Sequence, residues 1–301
     1  MSVPSSVPRS LTVSLPGLRM RVLHWSGAQD RPSFLLLHGL ASNARFWELV
    51  APTLVEGGYS VWAPDLRGHG QSDKPYEGYD FATISSDVGR LIERLEVDRP
   101  ILVGHSWGAM VALEYAGRTP NGRLGPRALA LVDGGIGQVS DYPGATREIT
   151  VEALTPPRLE GAPLQDLLDR LIASPRAFPI DAARKDIILA NFELRADGTV
   201  APRLHFDHHM ALVRAMWDSP VYRLFQEVRC PVLMVPARGA DVRGVRGQVY
   251  LELKERGTAR AEAVIRNLRV IWMEDTDHDI PLHRPEALAR LLLDLAEGAA
   301  A

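Results

Sequence analysis

The chain has 301 residues, 46% hydrophobic and 24% charged, with a formal net charge of −3. Such a composition suits one large globular domain or a domain carrying an insertion. The charge balance gives no electrostatic basis for a nucleic-acid or acidic-membrane partner.

The single cysteine, Cys230, allows no internal disulfide and reads as a small buried hydrophobe. Basic residues are almost all arginine, the lysines being Lys74, Lys185 and Lys254. That bias points to genome composition or heat tolerance before function. The opening MSVPSSVPRS lacks the apolar core of a secretion signal. No run of about 18 apolar residues could span a membrane, so a cytoplasmic protein is expected. No Cys/His cluster has zinc spacing.

Leu11–Leu15 and Leu18–Trp25 are two expected strands joined through Pro16-Gly17, a hairpin signal. Ser33–His38 is a short apolar strand ending in His38-Gly39. A helix is expected over Ala44–Glu56, stopping at Gly57-Gly58. Tyr59–Pro64 forms the next strand and opens into the glycine-rich turn Asp65-Leu66-Arg67-Gly68-His69-Gly70. Phe81–Glu96 has helical spacing, Ile101–His105 is a strand, Trp107–Arg118 a helix and Arg127–Asp133 a strand. The alternation then stops, and helical pieces are expected over Pro163–Ala173, Ala182–Leu194 and His209–Met216. It resumes with a strand at Pro231–Pro236, a helix at Gln248–Ile265, a strand at Leu268–Met273 and a closing helix at Arg284–Leu295. Strand–helix alternation on both sides of a helical insertion predicts an α/β fold with a mostly parallel sheet. The insertion then covers the carboxyl ends of the strands, where such sheets place their sites.

Gly104-His105-Ser106-Trp107-Gly108 matches Gly-x-Ser-x-Gly between a strand and a helix, the context that this motif requires. The sharp reversal forces Ser106 into strained backbone geometry, and the flanking glycines remove the Cβ atoms that would clash. The N–H of Trp107 lies at a helix N-terminus, where developing negative charge is stabilised. Across the strand SFLLLH, Gly39 permits close approach, so the N–H of Leu40 is the second expected oxyanion donor.

A serine hydroxyl needs a base. His105 neighbours the serine but reads as structural. His278 follows the last strand in a loop before the closing helix and is the expected base, with His283 as fallback. The base needs a carboxylate to fix its tautomer. Asp241, after Pro231–Pro236, gives the order Ser…Asp…His and is the preferred acid. Asp133, ending the strand beside the serine strand, is the alternative.

These motifs resemble the α/β-hydrolase superfamily from about Leu11 to Leu295. The carriers are His38-Gly39, Asp65 through Ser72, the Ser106 pentapeptide, Leu131-Val132-Asp133, and Asp277 through Pro281 with Arg284-Pro285. The resemblance implies an eight-stranded sheet with a core at 1–136 and 228–301 and a helical cap at 137–227. It also implies oxyanion N–H groups from Leu40 and Trp107. Asp241 falls late after its strand, and the stretch from Asp241 to His278 is long for the family. Some members carry the acid after the preceding strand, so Asp133 stays open.

Haloalkane dehalogenases and epoxide hydrolases look similar but need an aspartate nucleophile. Proline iminopeptidases also carry Ser-Trp-Gly, but no acidic cluster in the cap offers to hold a free amino terminus. A serine with a histidine base predicts acyl transfer without metal or cofactor. Expected pocket residues are His38, Gly39, Phe46, Trp47 and the cap residues Phe206, His209, Met210 and Trp217. The expected activity is a carboxylesterase acting on small to medium hydrophobic esters. Lactones, amides and carbon–carbon bonds are the alternatives on the same fold. A non-catalytic ligand-binding homologue is the alternative of another class. The expected partner is a small ester-like molecule, with no nucleic acid and no membrane. Both a monomer and a homodimer fit.

Overall fold

A computed structural model describes residues 7–28, 30–119, 121–141, 144–173, 178–239 and 245–299. The strands β1 (Arg9–Leu15) and β2 (Leu18–Trp25) form the expected hairpin, with Leu15 opposite Leu18. Gly17, at φ 73°, takes the left-handed turn position. Then come β3 (Phe34–Leu37), α1 (Ala51–Glu56), β4 (Val61–Pro64), α2 (Phe81–Arg94), β5 (Ile101–His105), α3 (Trp107–Arg118) and β6 (Ala128–Val132).

Between β6 and the next strand of the main sheet the chain builds a second assembly. It contains α4 (Arg147–Ala153), β7 (Ala162–Pro163), α5 (Leu164–Ala173), α6 (Ala182–Leu189), β8 (Phe192–Leu194), β9 (Thr199–Pro202), α7 (Phe206–Trp217) and α8 (Val221–Glu227). Strands β7, β9 and β8 form a small antiparallel sheet. Leu167, Leu171 and Val200 form a small core of their own beneath it. Within the expected 137–227 insertion, α7 and α8 also pack on the main core, where Leu212, Val221, Leu224 and Phe225 are buried. The chain closes with β10 (Val232–Val235), β11 (Ala237–Arg238), α9 (Val245–Val264), β12 (Leu268–Val270), β13 (Met273–Glu274), α10 (Ile280–His283) and α11 (Pro285–Gly298).

The main sheet has eight strands in the order β1-β2-β4-β3-β5-β6-β10-β12. From β4 to β12 every pairing is parallel. Helices cover both faces, so β3, β5, β6 and β10 are buried along their whole lengths. On β5 the side chains alternate between two cores. Leu102 faces the one shared with α2, α3, α8 and α9, whereas Ile101 and Val103 face the one shared with α1 and α11.

Three expected elements are divided. The helix expected over Ala44–Glu56 is a 3-10 turn at Ala44–Trp47 followed by α1, with a proline in the first turn of α1. Asp65, distant in sequence, holds the turn by accepting the Ala44 N–H at 2.7 Å. The helix expected over Ala182–Leu194 ends at Leu189, and its last residues form β8. The strand expected over Leu268–Met273 separates into β12 and β13, and β13 pairs with β11 away from the main sheet. Among the described residues no helix is long and apolar enough to cross a membrane.

Candidate active site

Ser106 occupies the turn from β5 into α3 with φ 54° and ψ −120°, a left-handed backbone for a residue that carries a Cβ. The turn is tight enough to exclude side chains around it. A Cβ on Gly104 would lie 2.2 Å from the Gly108 carbonyl oxygen. One on Gly134, just past β6, would lie 2.1 Å from the Ser106 carbonyl oxygen. The two motif glycines were read from the sequence. Gly134 was not, because its constraint comes from a neighbouring strand.

His278 sits in the loop between β13 and α10. Its Nε2 is 2.9 Å from Ser106 Oγ and its Nδ1 is 2.6 Å from Asp133 Oδ2. A carboxylate only accepts, so Nδ1 carries the proton and Nε2 is free to accept the serine proton. The His278 side chain is 44% exposed, so the ring faces open space beside Ser106. Ser106 is half-buried.

The Asp133 side chain is fully inaccessible. Its Oδ1 accepts the Ala237 N–H at 2.7 Å and lies 2.7 Å from the Lys254 ammonium. Burial opposes its charge. The His278 hydrogen bond and charge, with Lys254, outweigh burial and hold the Asp133 carboxyl down at about 2. Desolvation likewise pulls His278 down, but the hydrogen bond and charge of Asp133 outweigh it and raise the imidazole above its ordinary value. Asp241, the acid preferred from sequence, lies outside the described residues. Nδ1 has a single N–H and gives it to Asp133, the alternative acid of the sequence reading.

Leu40 follows Gly39, and a Cβ on Gly39 would lie 3.3 Å from Ser106 Cβ. Trp107 opens α3 directly after Ser106. Among the described residues neither backbone N–H has a protein acceptor.

His105 is buried beneath the histidine. Its Nε2–H donates to the His278 carbonyl at 2.9 Å, with ring centroids 4.9 Å apart. Burial, then the His278 charge, push His105 down to about 4, so the ring is a neutral support at neutral pH. Sequence order alone gave His105 no such contact.

Two expected pocket residues are corrected. Trp47 is entirely inaccessible in the main core beside α1 and has no surface to offer a ligand. His38 is equally inaccessible, with both ring nitrogens engaged: Nδ1–H donates to the Gly39 carbonyl at 2.8 Å and Nε2 accepts the Leu66 N–H at 3.0 Å. It shapes the turn that carries Gly39 and Leu40. Phe46 packs on His105 with ring centroids 4.7 Å apart, behind the histidine pair.

Phe206, His209, Met210 and Trp217 all stand on α7. Phe206 lies under the Arg158 guanidinium at 3.9 Å, and buried His209 faces the Leu154 carbonyl at 3.3 Å. Met210 is buried and Trp217 half-buried. His69 stacks on Trp107 with centroids 5.2 Å apart, and Leu212 of α7 is buried in the same core as Trp107. Tyr79 ties the same helix to the core: its oxygen accepts from His208 Nδ1 at 2.9 Å.

The profile of the alpha/beta hydrolase family matches residues 34–291. The chain belongs to that family. Epoxide hydrolase A of Mycobacterium tuberculosis (strain ATCC 25618 / H37Rv) is 37% identical over 106 residues, 35% of this chain and 33% of that protein. The chain spans 31–38% of the length of the curated relatives it matches, so the likeness is to a part of each. Among solved structures, E-2-(acetamidomethylene)succinate hydrolase superposes with a TM-score of 0.75 at 23% identity, covering 96% of this chain and 99% of that one. The thioesterase domain from the curacin biosynthetic pathway gives a TM-score of 0.72 at 20% identity, covering 95% and 99%. At these identities the likeness is one of fold.

Proposed function

We propose that this α/β hydrolase is a serine carboxylesterase that cleaves small to medium hydrophobic esters through an acyl-enzyme. The observation that carries the reading is the unbroken series from Ser106 Oγ to His278 to Asp133, at 2.9 and 2.6 Å.

In this reading Ser106 Oγ attacks the ester carbonyl carbon while His278 Nε2 takes the hydroxyl proton. Asp133 keeps Nδ1 protonated and offsets the imidazolium charge. The carbonyl oxygen becomes an oxyanion between the N–H groups of Leu40 and Trp107, and each such donor contributes about 3–4 kcal/mol to lowering the barrier. The intermediate collapses, the C–O bond to the alcohol breaks, and Nε2–H returns its proton to the leaving oxygen. A water activated by the freed Nε2 then cleaves the acyl-enzyme. Residues 137–227 act as a cap, and α7 supplies the apolar wall through Phe206, Met210 and Trp217, with His209 and Phe46 lining its margin. The natural ligand is a small ester-like molecule, and no step calls for a metal, a cofactor or a membrane.

The epoxide hydrolase likeness does not extend to the nucleophile. Opening an epoxide through an alkyl-enzyme needs a carboxylate whose ester water can then hydrolyse, and Ser106 offers an alcohol. The test is hydrolysis of p-nitrophenyl acetate, butyrate and longer esters. Activity highest on the shorter chains and lost in Ser106→Ala is the expected result. Turnover of an epoxide with no ester hydrolysis would overturn the reading.

A further inference from the structure

Lys254 is a partner of Asp133 that the proposed reaction does not use. It stands on α9 and is buried at 7% exposure. Its Nζ lies 2.7 Å from Asp133 Oδ1, 2.8 Å from the Ala237 carbonyl oxygen and 4.5 Å from the centre of the Tyr250 ring. These three partners match the three N–H bonds of an ammonium, so the cation is fully satisfied without water. Asp133 is thus held between the Lys254 ammonium on one oxygen and the His278 Nδ1–H on the other.

The arrangement sets the charge balance of the site. A buried carboxylate facing an imidazole alone would reach neutrality only by protonating that imidazole, and a protonated imidazole is no base. With Lys254 in place the carboxylate is already neutralised, and protonating His278 leaves a net positive charge. We propose that Lys254 is a positioning residue that keeps His278 available as a base at neutral pH by neutralising Asp133 through its second oxygen. The other titratable groups facing His278 are Asp279, next to it in the chain, and His105 beneath it. Asp279 favours the charged imidazole. Buried His105 is neutral at neutral pH and adds no charge there. Lys254 is therefore the cation that opposes the two carboxylates.

This inference rests on the proposed roles of Ser106, His278 and Asp133. Its test is the pH profile of kcat/KM for p-nitrophenyl butyrate in the wild type, Lys254→Met, Lys254→Gln and Lys254→Arg, with thermal melting of each. In Lys254→Met and Lys254→Gln the acid limb should move up by about one pH unit, and in Lys254→Arg it should stay near its wild-type place. Folded Met and Gln variants with an unmoved limb and a uniformly lower rate would overturn the proposal. So would failure of both to fold, since Lys254 would then be a structural post only. Ester hydrolysis that survives Ser106→Ala would instead locate the failure in the serine reading.

Discussion

The Asp133 carboxylate lies wholly out of solvent, yet it takes hydrogen bonds from His278 and from the Ala237 N–H and pairs with Lys254. Removing its charge leaves the Lys254 ammonium without a counter-charge and the His278 N–H without an anionic acceptor. Asp133→Asn should lower kcat/KM by about 10⁴-fold, the scale seen when the orienting acid of such a site is made neutral. Its melting temperature should also fall, since a buried ammonium loses its counter-charge. Asp241→Asn should hydrolyse p-nitrophenyl butyrate at the wild-type rate. The raised His278 sets the pH dependence. An imidazolium cannot accept the serine proton, so the rate should be full above the His278 pKa and fall as the pH drops through it. That midpoint should lie above an ordinary histidine value of about 6.5. A midpoint below that value would contradict the role of Asp133. Ser106 and His278 could be singled out in the sequence because local order marks them: a serine between glycines at a strand–helix turn, and a histidine in the loop after the last strand. The acid could not be chosen this way. Asp133 and Asp241 both follow strands, and only the reach of the His278 loop across the sheet decides between them.

At the scale of elements, the elbow is a packing of two turns. The turn after β6 presses on the turn after β5 through Gly134, where any side chain would meet the Ser106 backbone. Gly134→Ala should therefore destabilise the protein by about 1–3 kcal/mol or more and lower ester hydrolysis with it. An unchanged thermal midpoint would show that the two turns can part without cost. The helices α2 and α11 were readable because each buries one regular face, whereas α3 and the central strands, buried on all sides, were readable as short apolar runs bounded by turns. The helix expected over Ala44–Glu56 was misread because its apolar spacing continues through a break. That break is fixed by Asp65, which follows the neighbouring strand β4 and accepts the Ala44 N–H. Trp47 misled in a similar way. An aromatic residue just past a glycine turn suits a pocket wall as well as a core, and its complete burial under β3 and β4 comes from tertiary packing alone.

For the whole molecule, two large cores sandwich the main sheet, whereas the small sheet β7-β9-β8 rests on three fully buried apolar residues. Local stability should follow that division. In native-state hydrogen exchange, amides of β8 and β9 should open well before those of β5, β6 and β10. Equal protection throughout would mean that the two assemblies unfold as one. The link between them beside the site runs through Tyr79 and His208. Tyr79→Phe removes the oxygen that His208 bonds, and it should raise KM for butyrate esters more than it lowers kcat. The division into a sheet and an insertion was legible as a halt in strand–helix alternation. The return of α8 to the main core was not, since its apolar residues fit either assembly. The expectations on activity depend on Ser106 being activated by His278. The most direct measurement of that is mass-spectrometric mapping after treatment with a fluorophosphonate. The expected result is one adduct, on the peptide carrying Ser106, formed rapidly in the wild type and lost in His278→Ala. An unmodified protein, an adduct on another residue, or equal labelling without His278 would contradict it.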